Sequence, residues 1–374
     1  MRRLAAALLL LSSMTADAAA LTERQLQAML ERARVKAGLP GLAVAVVTKN
    51  HSVTAVAGFR QFGGKEKIAL TDRFHIASCT KSMTAMLGAI AVERGELQWS
   101  SKFVDVVPEL ATVIRPEYRT ATLEQLLAHR AHFPAYTQFG PERLEQLKRL
   151  TGTPTEQRLR FLREVLSSEP PNEGTGDAAY SNAGYTAAAA MLERASKTPW
   201  ETLIIARVTE PLRMRSVHFG WPATAADPHQ PRGHFLRDGK IEMQPLDDSY
   251  SLPVALWPAG AVNSTIGDLA RYIADQLNGL RGRKALLPQR AYERLHSAPD
   301  GSESGFTIGW GIRRDPQRGL VHYGAGSGGT FFVRMLIVPG DDIALVAASN
   351  SGDAAPATRQ LFDDLLEKLA PHPH

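Results

Sequence analysis

The spacing of apolar residues changes period twice along the chain. Leu26, Met29, Leu30 and Ala33 repeat at helical spacing, and Thr22 with Gln25 has the spacing of a capping box, which predicts a helix running from Thr22 to about Gly38-Leu39-Pro40. Two β-rich runs follow, 42–49 and 53–60, and Asn50-His51-Ser52 between them reads as a hairpin turn. From Ser78 to Arg94 the pattern is helical again, with Met83, Met86, Leu87 and Ile90 on one face. Helical signals at 122–129, 142–150, 186–195 and 268–277, broken by proline-rich loops, carry the chain to about Ala298. Period two then returns. Phe306, Ile308, Trp310 and Ile312 alternate as a half-buried strand should, 330–338 and 343–349 are β-rich, and Leu361, Phe362, Leu365, Leu366 and Leu369 mark a last amphipathic helix. Strands at both ends with helices between predict an α+β chain. Its antiparallel sheet draws on both termini, about 21–77 and 300–374, with a mainly helical part, about 78–299, inserted.

The first twenty residues change this picture only at the N-terminus. Met1-Arg2-Arg3, an apolar run from Leu4 to Leu11 and Ala16-Asp17-Ala18-Ala19-Ala20 have the order of a secretory signal peptide, with cleavage expected after Ala18 or Ala20. The apolar run is too short to span a bilayer, which takes about 20 residues. No later stretch reads as a membrane span. A periplasmic or secreted address is expected, and 21–374 is then one serviceable domain, expected to be a monomer. Without Arg2, Arg3 and Asp17, 41 basic residues face 37 acidic ones, a net of +4 with no basic block of the kind that binds nucleic acid. The single cysteine, Cys79, excludes an internal disulfide.

Three clusters carry chemistry. In Ser78-Cys79-Thr80-Lys81, positions i and i+3 share a helical face, so the Lys81 amine can reach the Ser78 hydroxyl. A serine needs an adjacent base to become a nucleophile, and a lysine serves as one only if its pKa falls towards about 7–8. Alone the motif is weak, since a chain of this composition contains about half an S-x-x-K by chance. In Tyr180-Ser181-Asn182 a phenol can shuttle protons and an amide can both donate and accept, although the segment reads equally as a turn into a helix. In His322-Tyr323-Gly324, followed by Ala325-Gly326-Ser327-Gly328-Gly329, a hydrogen-bonding side chain precedes small residues that let a substrate lie along a strand edge. The glycines also match G-x-G-x-x-G, but a strand follows where nucleotide binding requires a helix.

In this order the three motifs resemble those of the class C β-lactamase-related serine hydrolases, a family that includes β-lactamases, D-Ala-D-Ala carboxypeptidases, D-aminopeptidases and esterases. The likeness runs from about residue 22 to 370. Phe74-His75-Ile76-Ala77-Ser78 is similar to the family's lead into its catalytic helix, and Leu126-Leu127-Ala128-His129 to its Leu-Leu-Thr-His segment. Gly260-Ala261-Val262-Asn263-Ser264-Thr265 with Asp268-Leu269 is similar to its Gly-Gly-x-x-Ser-Thr-x-x-Asp-Leu stretch. The resemblance implies a β-lactamase/transpeptidase-like fold, an acylated Ser78, Lys81 as base or relay, and Tyr180 exchanging the proton with the leaving group and then with water. It implies that Asn182 holds the substrate amide and that His322 stands where β-lactamases have the lysine of Lys-Thr-Gly, with Gly324 behind it. The backbone N–H groups of Ser78 and Ala325 are then the oxyanion hole. No cofactor and no metal are implied.

Two departures bear on substrate. A histidine is shorter than lysine and mostly neutral at pH 7, a weaker partner for the carboxylate of penicillins and D-Ala peptides. Arg130-Ala131-His132-Phe133-Pro134 replaces the family's Thr-Ser-Gly-Leu-Pro and reshapes one wall of the cleft. The first favours a small-molecule or peptidoglycan-derived ester, amide or peptide over a β-lactam; the second is expected to impair or redirect the enzyme. A true β-lactamase or carboxypeptidase, or a sensor acylated once without turnover, remain the alternatives. Cys79, turned about 100° from Ser78 on a helix, reads as core packing. His129 and His132 have no spacing that supports a metal site.

Overall fold

The structure, a computed structural model, describes residues 21–370 apart from 50, 175, 248 and 250; the expected leader lies outside them. Its centre is an antiparallel sheet of seven strands in the spatial order Ser52–Gly58, Gly41–Thr48, Ile343–Ser349, Phe332–Val338, Gly319–Ser327, Gly311–Asp315 and Gly305–Phe306. Leu42 pairs with Ser349 and Thr48 with Ile343, so the two ends of the chain meet at the middle of the sheet. The fold is α+β, as the change of period predicts.

Alternation along the strands separates two cores. Val333, Met335 and Ile337 point to the helical side, towards the Ile266–Leu280 helix, while Phe332, Leu336 and Val338 point to the helices Glu23–Lys36 and Ala355–Leu369. Each fully buried side chain of this size contributes roughly 1.5–3 kcal/mol relative to exposure. The Glu23–Lys36 helix opens with the predicted capping box, Thr22 and Gln25 exchanging bonds of 3.1 and 3.2 Å. On the helical side, Pro154–Ser168 packs against Asn182–Ser196, and Ile266–Leu280 crosses the sheet. A small three-stranded sheet, Arg73–His75, Val262–Thr265 and His218–Phe219, leads the chain into Ser78.

One predicted strand is different. The run from Phe306 to Ile312 folds back on itself: Gly305 pairs with Ile312 and Phe306 with Gly311. The turn between them buries Ile308 and Trp310, closes with a bond from the Thr307 N–H to the Trp310 carbonyl (2.9 Å), and requires a positive φ of 87° at Gly309. A Cβ on Gly309 would stand 3.1 Å from Ser82 Cα, so the turn sits directly against the Thr80–Glu93 helix. The pairing of Gly311–Asp315 with Gly319–Ser327 ends at Tyr323, which leaves the outer edge from Gly324 to Ser327 without a strand partner. That edge faces Ser78.

Candidate active site

Ser78 lies in a single 3-10 turn, Ala77–Cys79, at the entry to the Thr80–Glu93 helix. Ala77 is held at φ 45°, a conformation that costs a non-glycine residue about 1–3 kcal/mol and is found where surrounding structure enforces it. The helix brings Lys81 onto the same side, its Nζ 3.3 Å from Ser78 Oγ. Tyr180 comes from the segment preceding the Asn182–Ser196 helix, and its hydroxyl donates to Ser78 Oγ at 2.8 Å.

Lys81 is buried, and its surroundings count its protons. Nζ donates to Asn182 Oδ1 and to the Ala259 carbonyl, each at 2.7 Å. A neutral amine has two N–H donors and one lone pair, so the third direction, towards Ser78, is free to accept the serine proton. The rings of Tyr180 and Tyr185, 4.8 and 5.4 Å from Nζ, favour the ammonium form. Burial lowers the Lys81 pKa to about 7, against the raising effect of the neighbouring Cys79. Burial likewise pushes Tyr180 up to about 12, against the lowering effect of its bond to Ser78, so the phenol is protonated at neutral pH.

Asn182 is brought to the site: Oδ1 accepts from Lys81, and one of the two Nδ2 N–H groups donates to the Tyr136 carbonyl at 2.6 Å. It holds Lys81. His129, which the sequence reading left without a catalytic part, lies under Tyr180 with ring centroids 4.3 Å apart. Its Nδ1 accepts the Ser181 N–H at 3.1 Å, and burial, with Lys81 nearby, holds it neutral. The Leu-Leu-Ala-His segment was the signal for it.

His322 is not brought to the site. Along Gly319–Ser327, Val321 and Tyr323 pack towards the terminal helices, so His322, Gly324 and Gly326 share the face turned to Ser78. The residue against Ser78 is Gly326: a Cβ there would stand 2.9 Å from the amide nitrogens of both Ser78 and Cys79. Gly324 lies next, facing Cys79 Sγ and the Trp310 ring with room for a Cβ at 3.7–3.8 Å. His322, two residues further back, is buried against His296, ring centroids 4.7 Å apart, and burial lowers its pKa to about 4. Gly324 lines the cavity beside Ser78 and His322 does not, and the backbone at Gly326 runs past the Ser78 amide.

These groups surround a cavity of about 180 Å³, lined by Ser78, Lys81, Tyr180, Phe306, Trp310 and Gly324 among others. Lys81 is its one cationic side chain among the described residues. Cys79 Sγ borders it too, buried and with its pKa pushed up to about 12, which makes it a poor nucleophile. Arg130 points elsewhere, to Asp300 at 2.6 Å. A larger groove of about 980 Å³ lies between the helices Glu23–Lys36 and Ala355–Leu369, and carries none of the candidate residues. No group of three or more metal-ligating side chains occurs among the described residues, and no helix there is long and apolar enough to cross a membrane.

The family description Beta-lactamase matches residues 22–369. The chain is similar to penicillin-binding protein 4 of Amycolatopsis lactamdurans, 24% identical over 92% of this chain and 89% of that one. It is also similar to the D-alanyl-D-alanine-carboxypeptidase/endopeptidase AmpH of Escherichia coli, 25% identical over 84% and 80% of the two chains. Among solved structures it superposes on the octameric penicillin-binding protein homologue from Pyrococcus abyssi with a TM-score of 0.73, at 19% identity, over 94% of this chain and 78% of that one.

Proposed function

The chain belongs to the Beta-lactamase family, and on that basis we propose that it is a serine hydrolase forming an acyl-enzyme on Ser78 from ester or amide substrates that carry no carboxylate beside the scissile bond. The observation that carries the reading is the placement of Ser78 Oγ between the Tyr180 hydroxyl (2.8 Å) and a Lys81 amine whose two donors are already engaged.

In acylation the neutral Lys81 takes the Ser78 proton as Oγ attacks the substrate carbonyl. Charge develops on the carbonyl oxygen, where the Ser78 amide and an amide of the 325–327 edge donate. Collapse breaks the bond to the leaving group, which receives the proton from Lys81 through the Tyr180 hydroxyl. Deacylation reverses the roles: water gives its proton to the same pair, attacks the acyl carbonyl, and Ser78 regains its proton. Tyr180, with its pKa near 12, serves as relay and Lys81 as resting base. The absence of a second cationic side chain among the described lining residues is what disfavours carboxylated substrates.

A fluorophosphonate should add one group to Ser78 by mass spectrometry, and p-nitrophenyl butyrate should be turned over by the wild type and not by Ser78→Ala. A label on Cys79 instead, or none, would overturn the assignment. The penicillin-binding relative keeps a second reading in view, acylation without turnover; a burst of acylation with no steady product release would establish it. Export to the periplasm or medium and a monomeric state are proposals as well, the latter set against an octameric homologue and decided by light scattering.

A further inference from the structure

One wall of the Ser78 cavity is a side chain that the catalytic reading does not use, Phe306. The segment that leads to it, Pro299 to Phe306, is fixed at both ends. At one end the Asp300 carboxylate accepts from Arg130 at 2.6 Å and from the Ser302 N–H at 3.0 Å. At the other, Phe306 is paired with Gly311 on the sheet edge. The Phe306 ring rests on His129 (centroids 5.0 Å) and on Tyr180 (5.8 Å), the residue bonded to the nucleophile, yet it is 36% exposed. An aromatic ring half in solvent over a catalytic phenol is a wall that the substrate must pass or touch.

Size gives that wall a consequence. The cavity it encloses measures about 180 Å³, against roughly 300–1,000 Å³ for pockets that hold drug-sized ligands. Its inner lining, Trp310, Met335, Gly324 and Cys79, is apolar or small. During the two half-reactions the leaving group has to depart, whereas the acyl group stays bound throughout, so a small cavity with an apolar inner wall suits the acyl group. Building on the assignment of Ser78 as nucleophile, we infer that Phe306, held by the Arg130–Asp300 pair, limits the acyl group to a short, uncharged chain and so sets the chain-length specificity of the enzyme.

The test is a series of p-nitrophenyl acetate, butyrate and octanoate on wild type, Phe306→Ala and Asp300→Asn, read as the octanoate-to-acetate ratio of kcat/KM so that losses common to both substrates cancel. Removing the ring should raise this ratio at least about 10-fold, the scale on which a pocket discriminates chain length. Releasing the segment through Asp300→Asn should raise it in the same direction by less. Asp300→Asn also serves if Phe306→Ala fails to fold. A ratio unchanged in both variants, with Ser78 still labelled by the fluorophosphonate, would overturn the role of Phe306 and leave the nucleophile standing. No label on Ser78 in the wild type would remove both.

Discussion

Lys81 Nζ stands 3.3 Å from Ser78 Oγ with its two remaining directions occupied by Asn182 Oδ1 and the Ala259 carbonyl. That arrangement suits an amine better than an ammonium, which would direct its third N–H at the nucleophile it must activate. Because burial brings the Lys81 pKa to about 7, hydrolysis of a neutral ester should rise with pH through about 7, as the amine loses its proton, and then level off. Lys81→Arg, permanently charged, should not restore turnover. Lys81→Ala and Tyr180→Phe should each lower kcat by at least about 10²-fold. Stopped assays between pH 5.5 and 9 check the profile; a rate that is flat from 6 to 8 would remove Lys81 as the base.

Gly326→Ala is expected to be severe. The new Cβ would press on the Ile76 carbonyl and lie 2.9 Å from the Ser78 and Cys79 amides, all of them backbone that cannot rotate away. Overpacking of this kind costs about 1–3 kcal/mol, and here it also displaces the nucleophile. Thermal melts should show a lower Tm, together with a loss of turnover larger than the destabilisation explains.

Gly324→Lys should do the opposite for one class of substrate. There is space for its Cβ, and the side chain would emerge beside Trp310 into the Ser78 cavity. A charge-assisted bond to a substrate carboxylate is worth about 1.5–3 kcal/mol, so the nitrocefin-to-p-nitrophenyl-butyrate ratio of kcat/KM should rise roughly 10–150-fold. His322→Lys should give no such gain, because that side chain is buried against His296 and does not border the cavity.

Acid sensitivity should come from the buried histidines; burial also lowers the pKa values of His129, His234 and His296. His75 and His322 are buried neutral, with pKa values lowered by burial to about 3 and about 4. The unfolded chain takes up their protons near pH 6.5 and the folded one does not, so their full contribution is present above pH 6.5. It declines as the pH falls towards 4. The loss is on the order of a few kcal/mol for each. Urea unfolding at pH 7.5 and 4.5 should show it, and His322→Leu should flatten the difference. An identical pH dependence in the variant would acquit His322.

Most of the architecture was legible because local rules sufficed. Hairpin, capping box and alternation placed the strands at both ends, and i, i+3 spacing placed Lys81 beside Ser78. Failure began where a long-range contact decides between local equivalents. His322, Gly324 and Gly326 lie on one face of one strand, and only the backbone of Ile76 and Ser78, distant in sequence, reveals that Gly326 is the one packed against Ser78. The alternating residues 306–312 obey strand periodicity and still fold into a hairpin, because Gly309 fits against the Thr80–Glu93 helix. The helix Pro154–Ser168 carries its own sequence signal: Thr153 and Glu156 form a full capping box, with proline in the first turn.

The pairing of Leu42 with Ser349 has a consequence for how the molecule comes into being. The sheet is joined at its centre by strands from opposite ends of the chain, and such non-local closure makes folding slow. Ser78 and Lys81 are synthesised early, but the glycine edge that completes their surroundings comes from the last quarter of the polypeptide. A nascent chain therefore holds Ser78 and Lys81 without the edge that completes the cavity, and on the proposed function activity arrives only when the C-terminal strands insert. Shortening the chain at its C-terminal end should abolish activity long before it removes any residue that touches substrate.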